Sequence, residues 1–73
     1  MNELLIKKVI SVFLKKNPET IVEDTIIDTS VIQGSVLFHR MIARINDILK
    51  IEIENYEKIH TYRDLLNQIK LKQ

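Results

Sequence analysis

Apolar residues recur with helical spacing in three stretches of the chain. In residues 2–16, spacings of three, four and seven place one set of side chains on a single helix face. This stripe, predicted to face the core, consists of Leu5, Ile6, Val9, Ile10, Val12 and Phe13. Asn2 is a suitable cap for the start of the helix. Pro18 disfavours the helical conformation at Asn17 before it, so we expect the helix to end there.

A second, stronger helical pattern runs from Ser35 to Leu49. Its apolar positions fall on one face: Phe38, Met41, Ile42, Ile45, Ile48 and Leu49. His39, Arg40 and Arg44 lie on the other face. Val36 is about half a turn away from Ile45 at 3.6 residues per turn, which predicts an exposed apolar residue at the start of this helix.

The third pattern covers Thr61 to about Ile69. Its apolar stripe is Tyr62, Leu65, Leu66 and Ile69. Thr61 and Asp64 have the spacing of a capping box, and residues 54–59 leave room for one further helical turn. The sequence therefore predicts an all-α protein, a small four-helix bundle of three main helices and one short helix.

Between the first two helices, residues 18–34 show no sustained helical stripe. They nevertheless carry six large aliphatic residues: Ile21, Val22, Ile26, Ile27, Val31 and Ile32. We predict a long loop that these side chains pin to the core. A short strand would also suit this composition, but no later segment offers a clear pairing partner. Loops of this length in small domains are often functional.

Composition narrows the classes of function. The chain has 73 residues, room for a single domain over residues 1–73, with 11 basic and 10 acidic residues. This balance argues against a nucleic-acid binder, and the lack of cysteine excludes disulfides, thiolate metal sites and cysteine nucleophiles. No apolar run approaches the roughly 20 residues of a membrane span, and the first residues lack the layout of a signal peptide. We expect a cytoplasmic protein that is not bound to membranes.

Residues 33–45 read QGSVLFHRMIARI, and residues 49–53 read LKIEI. This stretch resembles the carrier domains of peptide synthetases, in which a serine after Gly-Gly-His/Asp opens a helix of the form Leu-Leu-Ala-x-Arg-Leu-x-x-Arg-Ile. The serine, both arginines and the apolar positions are in register without a gap. Residues 56–65, YEKIHTYRDL, resemble the closing region of the same family. With the order of helices, the resemblance to acyl and peptidyl carrier proteins covers essentially the whole chain.

The resemblance implies that Ser35 is the attachment residue for 4′-phosphopantetheine. It implies a freestanding, monomeric carrier without catalytic activity, whose partners are a phosphopantetheinyl transferase and the enzymes that load and condense acyl or aminoacyl groups. Partner enzymes would dock on Val36, Leu37, Arg40 and Arg44. Fatty acid, polyketide and nonribosomal peptide biosynthesis all remain open as pathways.

Two departures from the family pattern stand out. Gly34 occupies the position before the serine, where Asp or His is usual. The second helix carries His39, Arg40 and Arg44, whereas fatty-acid carriers have an acidic helix there. These residues are closer to the peptidyl type of carrier.

Other interpretations of the same residues stay open. Ser35 alone would suit an ordinary helix cap, and Ser30, within DTSV, is a rival attachment serine that lies farther from the helix stripe. A hydrolase pair of Ser35 and His39 lacks a visible third group, and His39 with His60 is too small a set for zinc.

A helical interaction module that uses the carrier fold without the arm is the alternative function. A nucleic-acid-binding domain has only Arg40, Arg44 and the C-terminal lysines in its favour.

Overall fold

Three α-helices and two short 3₁₀ turns make up the fold in a computed structural model, which describes residues 2–72. The helices are α1 (Glu3–Leu14), α2 (Ser35–Leu49) and α3 (Tyr62–Lys72), and the turns are Pro18–Thr20 and Tyr56–Lys58. The predicted all-α class is confirmed. The predicted fourth helix is not: residues 54–59 hold only a three-residue 3₁₀ turn. Ile53 and Ile59 are both buried, and anchoring both ends of so short a segment leaves room for no more than one turn.

Local hydrogen bonds set both ends of α1. The side-chain oxygen of Asn2 accepts a hydrogen bond from the Leu5 N–H at 3.2 Å. Lys15 adopts the left-handed conformation (φ 57°) and closes the helix. Asn17 then accepts from the Glu19 N–H at 3.0 Å and starts the first 3₁₀ turn. The helix ends before Pro18, as predicted.

The buried face of α1 is narrower than the predicted stripe. Ile6, Val9 and Ile10 are buried, but Leu5 and Val12 are 38% and 73% exposed. The prediction is wrong for these two residues because α1 is apolar over more of its circumference than its neighbours cover. Leu5 and Val12 are seven residues apart, about two helical turns, and therefore share one flank of α1.

The long loop is pinned to the core as predicted, but by fewer side chains. Its anchors are fully buried: Ile21, Ile27 and Ile32. Val22, Ile26 and Val31, which we also expected to help pin the loop, are 58%, 42% and 48% exposed. Each of them is the immediate neighbour of an anchor in the chain, and the core covers only the anchor of each pair.

The same loop is joined to the start of α3 by its backbone. Ile26 and Thr61 form an isolated antiparallel bridge. Around it, three N–H···O bonds of 2.8–2.9 Å connect residues 23–27 with residues 60–63. The expectation that no later segment would pair with the loop is therefore wrong, since residues 60–63 provide the partner.

The remaining helices bury the predicted stripes in one core. From α2 it takes Phe38, Met41, Ile42 and Ile45, with Ile48 and Leu49 partly buried at its edge. From α3 it takes Tyr62, Leu65, Leu66 and Ile69. The Tyr62 hydroxyl also donates to the Glu3 carboxylate at 3.1 Å, which links α3 to α1. Burial, followed by this hydrogen bond, raises the pKa of Tyr62.

The predicted capping box at the start of α3 is confirmed. The Asp64 N–H donates to Thr61 Oγ1 at 3.2 Å, and the Thr61 N–H donates to Asp64 Oδ2 at 3.1 Å. The His60 N–H donates to the same carboxylate oxygen at 3.0 Å. The N–H groups of His60 and Thr61 hold the pKa of Asp64 below its usual value.

Among residues 2–72, no helix is long and apolar enough to cross a bilayer.

Candidate functional site

Ser35 is the first residue of α2 and is exposed to solvent. The cap position belongs to Gly34, so the expectation that Ser35 caps the helix is wrong. Within residues 2–72, no side chain makes a capping hydrogen bond at this end of α2. The hydroxyl of Ser35 is thus not engaged in capping.

Gly34 fixes the direction in which the chain enters α2. Its φ of 92° and ψ of 151° lie in a backbone region that essentially only glycine adopts. A Cβ atom at this position would meet no atom within 4 Å beyond Gly34 and its two chain neighbours. The restriction therefore comes from the local backbone conformation and not from packing against other parts of the fold. This conformation gives a physical reason for glycine at position 34.

The start of α2 presents helix N–H groups to an anion, while three carboxylates line the cavity beside Ser35: Asp28, Glu54 and Glu57. Helix N-termini present free N–H groups and a partial positive charge. The first turn of α2 contains no acidic residue. A negative group attached to Ser35 would therefore meet helix N–H groups without a competing carboxylate from this turn.

A concave surface with a volume of about 440 Å³ lies beside Ser35. Phe38 and His39 of α2 form part of its wall, and Tyr56 of the second 3₁₀ turn forms another part. The rings of His39 and Tyr56 are 4.8 Å apart between centroids. Tyr56 is half-buried at the edge of the core. The sequence did not predict this cavity, because it depends on where residues 54–60 pass α2.

Ser30 is engaged locally. Its hydroxyl donates to Asp28 Oδ1 at 2.6 Å, and its N–H donates to the same oxygen at 2.9 Å. The other oxygen of Asp28 lies 2.8 Å from Nδ1 of His60. The hydrogen bonds from Ser30, followed by that from His60, hold the pKa of Asp28 below its usual value. Ser30, the rival attachment serine, thus belongs to a turn that its Asp-x-Ser pattern could have indicated. The contact between Asp28 and His60 has no such signal in the sequence.

The two histidines lie in different settings. His39 packs against the rings of Tyr56 and Phe38, with centroid distances of 4.8 Å and 6.2 Å. His60 pairs with Asp28. Within the part of the chain that the structure describes, no group of three or more His, Asp or Glu residues could hold a metal ion.

Three of the four predicted docking residues share one surface. Leu37, Arg40 and Arg44 line a groove on the outer side of α2. Val36 is 66% exposed, as predicted from the helical periodicity. It is next to Ser35 in the chain and is not among the residues that line the groove.

No family model, curated protein or solved structure matches the chain. The carrier resemblance of residues 33–45 and 56–65 stays a prediction that rests on the residues of this chain.

Proposed function

We propose that this protein is an acyl or peptidyl carrier, which holds its cargo as a thioester on a phosphopantetheine arm attached to Ser35. The observation that carries the proposal is the state of Ser35: it is exposed, it opens α2, and it does not serve as the helix cap. This serine is also the one in register with the carrier motif. The ordinary role of a serine at this place, capping, belongs to Gly34 instead.

The attachment reaction requires little of the carrier itself. A transferase would activate the Ser35 hydroxyl, which attacks the phosphorus of coenzyme A that bears the pantetheine group. A new phosphodiester bond forms at Ser35, and adenosine 3′,5′-bisphosphate leaves. The N-terminus of α2 would favour the attached anion by about 0.3–1 kcal/mol at an exposed site. That effect biases the conformation of the linkage without locking it.

The surroundings of Ser35 supply space for the arm. The 440 Å³ cavity opens directly beside the serine and is walled in part by Phe38, His39 and Tyr56. An arm bent back toward the protein would find both apolar surface and hydrogen-bonding groups there. An extended arm would reach a partner enzyme past Val36, which stands exposed next to the attachment point.

We further propose the carrier type of helical bundle for this chain. Helices α1, α2 and α3 would correspond to its three main helices, and the 3₁₀ turn Tyr56–Lys58 would take the place of the short helix. The arginines of α2 favour the peptidyl type of carrier, because fatty-acid carriers have an acidic helix at this position.

Mass spectrometry tests the attachment. The purified full chain is incubated with coenzyme A and a broad-specificity phosphopantetheinyl transferase, and its intact mass is measured. We expect the mass of one arm to be added to the wild type and to a Ser30→Ala variant, and not to a Ser35→Ala variant. An unmodified wild type, or an addition that survives Ser35→Ala, contradicts the proposal.

A helical interaction module without the arm is the second candidate. Gly34 before the serine and the cationic α2 favour it, because both depart from the carrier pattern. Intact mass of the protein isolated from its native host separates the two. If this protein is unmodified while other carriers of the same host carry the arm, the interaction module is favoured.

A further inference from the structure

A groove runs along the outer faces of α1 and α2, and its lining residues belong to these two helices. It consists of two adjoining depressions with volumes of about 830 and 260 Å³, and Phe13 and Arg44 line both. We call this surface the α1–α2 groove. Its defining residues are Lys8, Val12 and Phe13 of α1 and Leu37, Arg40 and Arg44 of α2.

The groove has an exposed apolar surface. Val12 is 73% exposed and Leu37 is 39% exposed, and Phe13 is only partly buried between them along the same surface. Single exposed apolar residues are normal, whereas contiguous ones indicate a contact surface. Ala43 also lines the groove, and its short side chain allows close approach of another backbone.

The charge on the groove is mostly of one sign and is not neutralised within the protein. Among residues 2–72, Lys8, Arg40 and Arg44 have no carboxylate within 4.0 Å. Arg63 behaves differently, with Asp24 at 3.0 Å and Glu23 at 3.6 Å. Arg40 and Arg44 are one turn apart on the same helix, a spacing at which like charges repel. Carboxylates from another molecule would relieve this repulsion.

We propose that the α1–α2 groove binds an acidic amphipathic helix of another protein. Apolar side chains of that helix would pack on Val12, Phe13 and Leu37, and its flanking carboxylates would pair with Lys8, Arg40 and Arg44. This is the helix-in-groove mode of recognition. The proposal concerns the groove alone and holds whether or not Ser35 carries an arm.

The distribution of charge decides against other occupants. A second copy that used the same face would bring cations against cations. Asp47 also lines the groove. A phosphate backbone or an anionic bilayer, with its uniform negative charge, would be repelled there, whereas a helix can place a neutral or basic residue opposite Asp47. The whole chain carries a formal net charge of only +1, so it lacks the broad basic surface that those polyanions require.

A pair of synthetic peptides tests the proposal. Each peptide is about 15 residues, roughly four helical turns, with leucine at helical spacing and either glutamate or lysine on both flanks. The ¹⁵N-labelled full chain is titrated with each peptide, and amide shifts are followed by NMR. We expect the glutamate peptide to shift Lys8, Val12, Leu37, Arg40 and Arg44, and the lysine peptide to shift none of them. Binding should weaken when ionic strength rises from about 0.1 M to about 1 M, because the Debye length falls from about 10 Å to about 3 Å.

Variants on the exposed surface make the test specific. The double variant Arg40→Glu/Arg44→Glu should weaken binding of the glutamate peptide by about tenfold or more. Lys70→Glu/Lys72→Glu is the matched control: it reverses two exposed charges on α3, which do not line the groove, and should leave affinity unchanged. Val12→Ser should weaken binding without any change in charge.

Several results would overturn the proposal. They are equal binding of the lysine peptide, shifts that map outside the groove, and no shifts at millimolar peptide. Tight binding to phosphatidylglycerol vesicles or single-stranded DNA with no binding of the glutamate peptide would assign the surface to a polyanion instead. A concentration-dependent dimer that Val12→Ser dissociates would assign it to a second copy.

Discussion

At the scale of single residues, Gly34 caps α2 while Ser35 presents an exposed hydroxyl. A single serine at the cap position could have combined these two roles. Gly34 provides the backbone turn into α2, with a φ of 92°. Ser35 is thereby placed one residue inside the helix, with its side chain exposed. The sequence predicted the start of α2 at Ser35, but it could not show that glycine is the cap, because cap identity depends on backbone angles and not on residue type alone.

Replacing Gly34 with alanine should destabilise the protein through backbone strain. A non-glycine residue held at such angles costs about 1–3 kcal/mol, and we expect a loss of this size in the free energy of unfolding. Urea denaturation followed by circular dichroism measures it. Gln33→Ala is the control, since Gln33 is exposed and should change stability by less than about 0.5 kcal/mol. Equal stabilities of the two variants would show that the φ of Gly34 is not required.

At the scale of the elements, local patterns were sufficient for α2 and α3 and insufficient for the rest. The bounds of α2 and the buried stripe of α3 follow from helical spacing within each segment. The buried face of α1 does not, because Leu5 and Val12 are as apolar as the residues that the core covers. Pairing of the loop with residues 60–63 uses backbone groups, which leave no signature in side-chain pattern. The cavity beside Ser35 depends on the same long-range placement.

The capping box gives a prediction for α3. Thr61→Ala removes the side-chain acceptor of the Asp64 N–H and should lower the free energy of unfolding by about 0.5–2 kcal/mol. Thermal and urea denaturation measure the loss. Asn67→Ala, an exposed change in the middle of α3, serves as the control and should be neutral or slightly stabilising because alanine is the better helix former. A Thr61→Ala variant as stable as the control would contradict the role of the box.

At the scale of the whole molecule, the Asp28 carboxylate joins segments that are distant in the chain, and the Asp64 carboxylate holds the neighbouring residues at the start of α3. Asp28 joins the long loop to His60, and Asp64 accepts hydrogen bonds from the backbone of His60 and Thr61. Both carboxyl groups have a pKa below their usual value. Hydrophobic periodicity does not show the contact between Asp28 and His60, because it joins polar side chains at the surface. The contact between Asp64 and the Thr61 N–H, by contrast, was predicted from the spacing of the capping box.

Acid should therefore weaken the fold through these two groups. A folded pKa below the unfolded value means that the unfolded chain binds protons more readily, so the stabilisation is complete above the ordinary pKa of about 3.9 and is lost as pH falls through the lower folded pKa. Urea denaturation between about pH 6 and pH 2 should show a declining free energy of unfolding below about pH 4. The double variant Asp28→Asn/Asp64→Asn should be less stable at neutral pH and show a shallower decline. An unchanged acid slope in that variant would assign the decline to other carboxylates.

The central claim is that Ser35 is the attachment residue, and fragment mapping of the transferase product tests it most directly. Trypsin cleaves after Lys16 and Arg40, so Ser30 and Ser35 remain together on the peptide of residues 17–40. Fragment ions that break the chain between residues 31 and 34 separate the two serines. We predict that the mass of the arm appears only on fragments that contain Ser35. An arm on fragments that end before Gly34, or no arm on this peptide, would contradict the account.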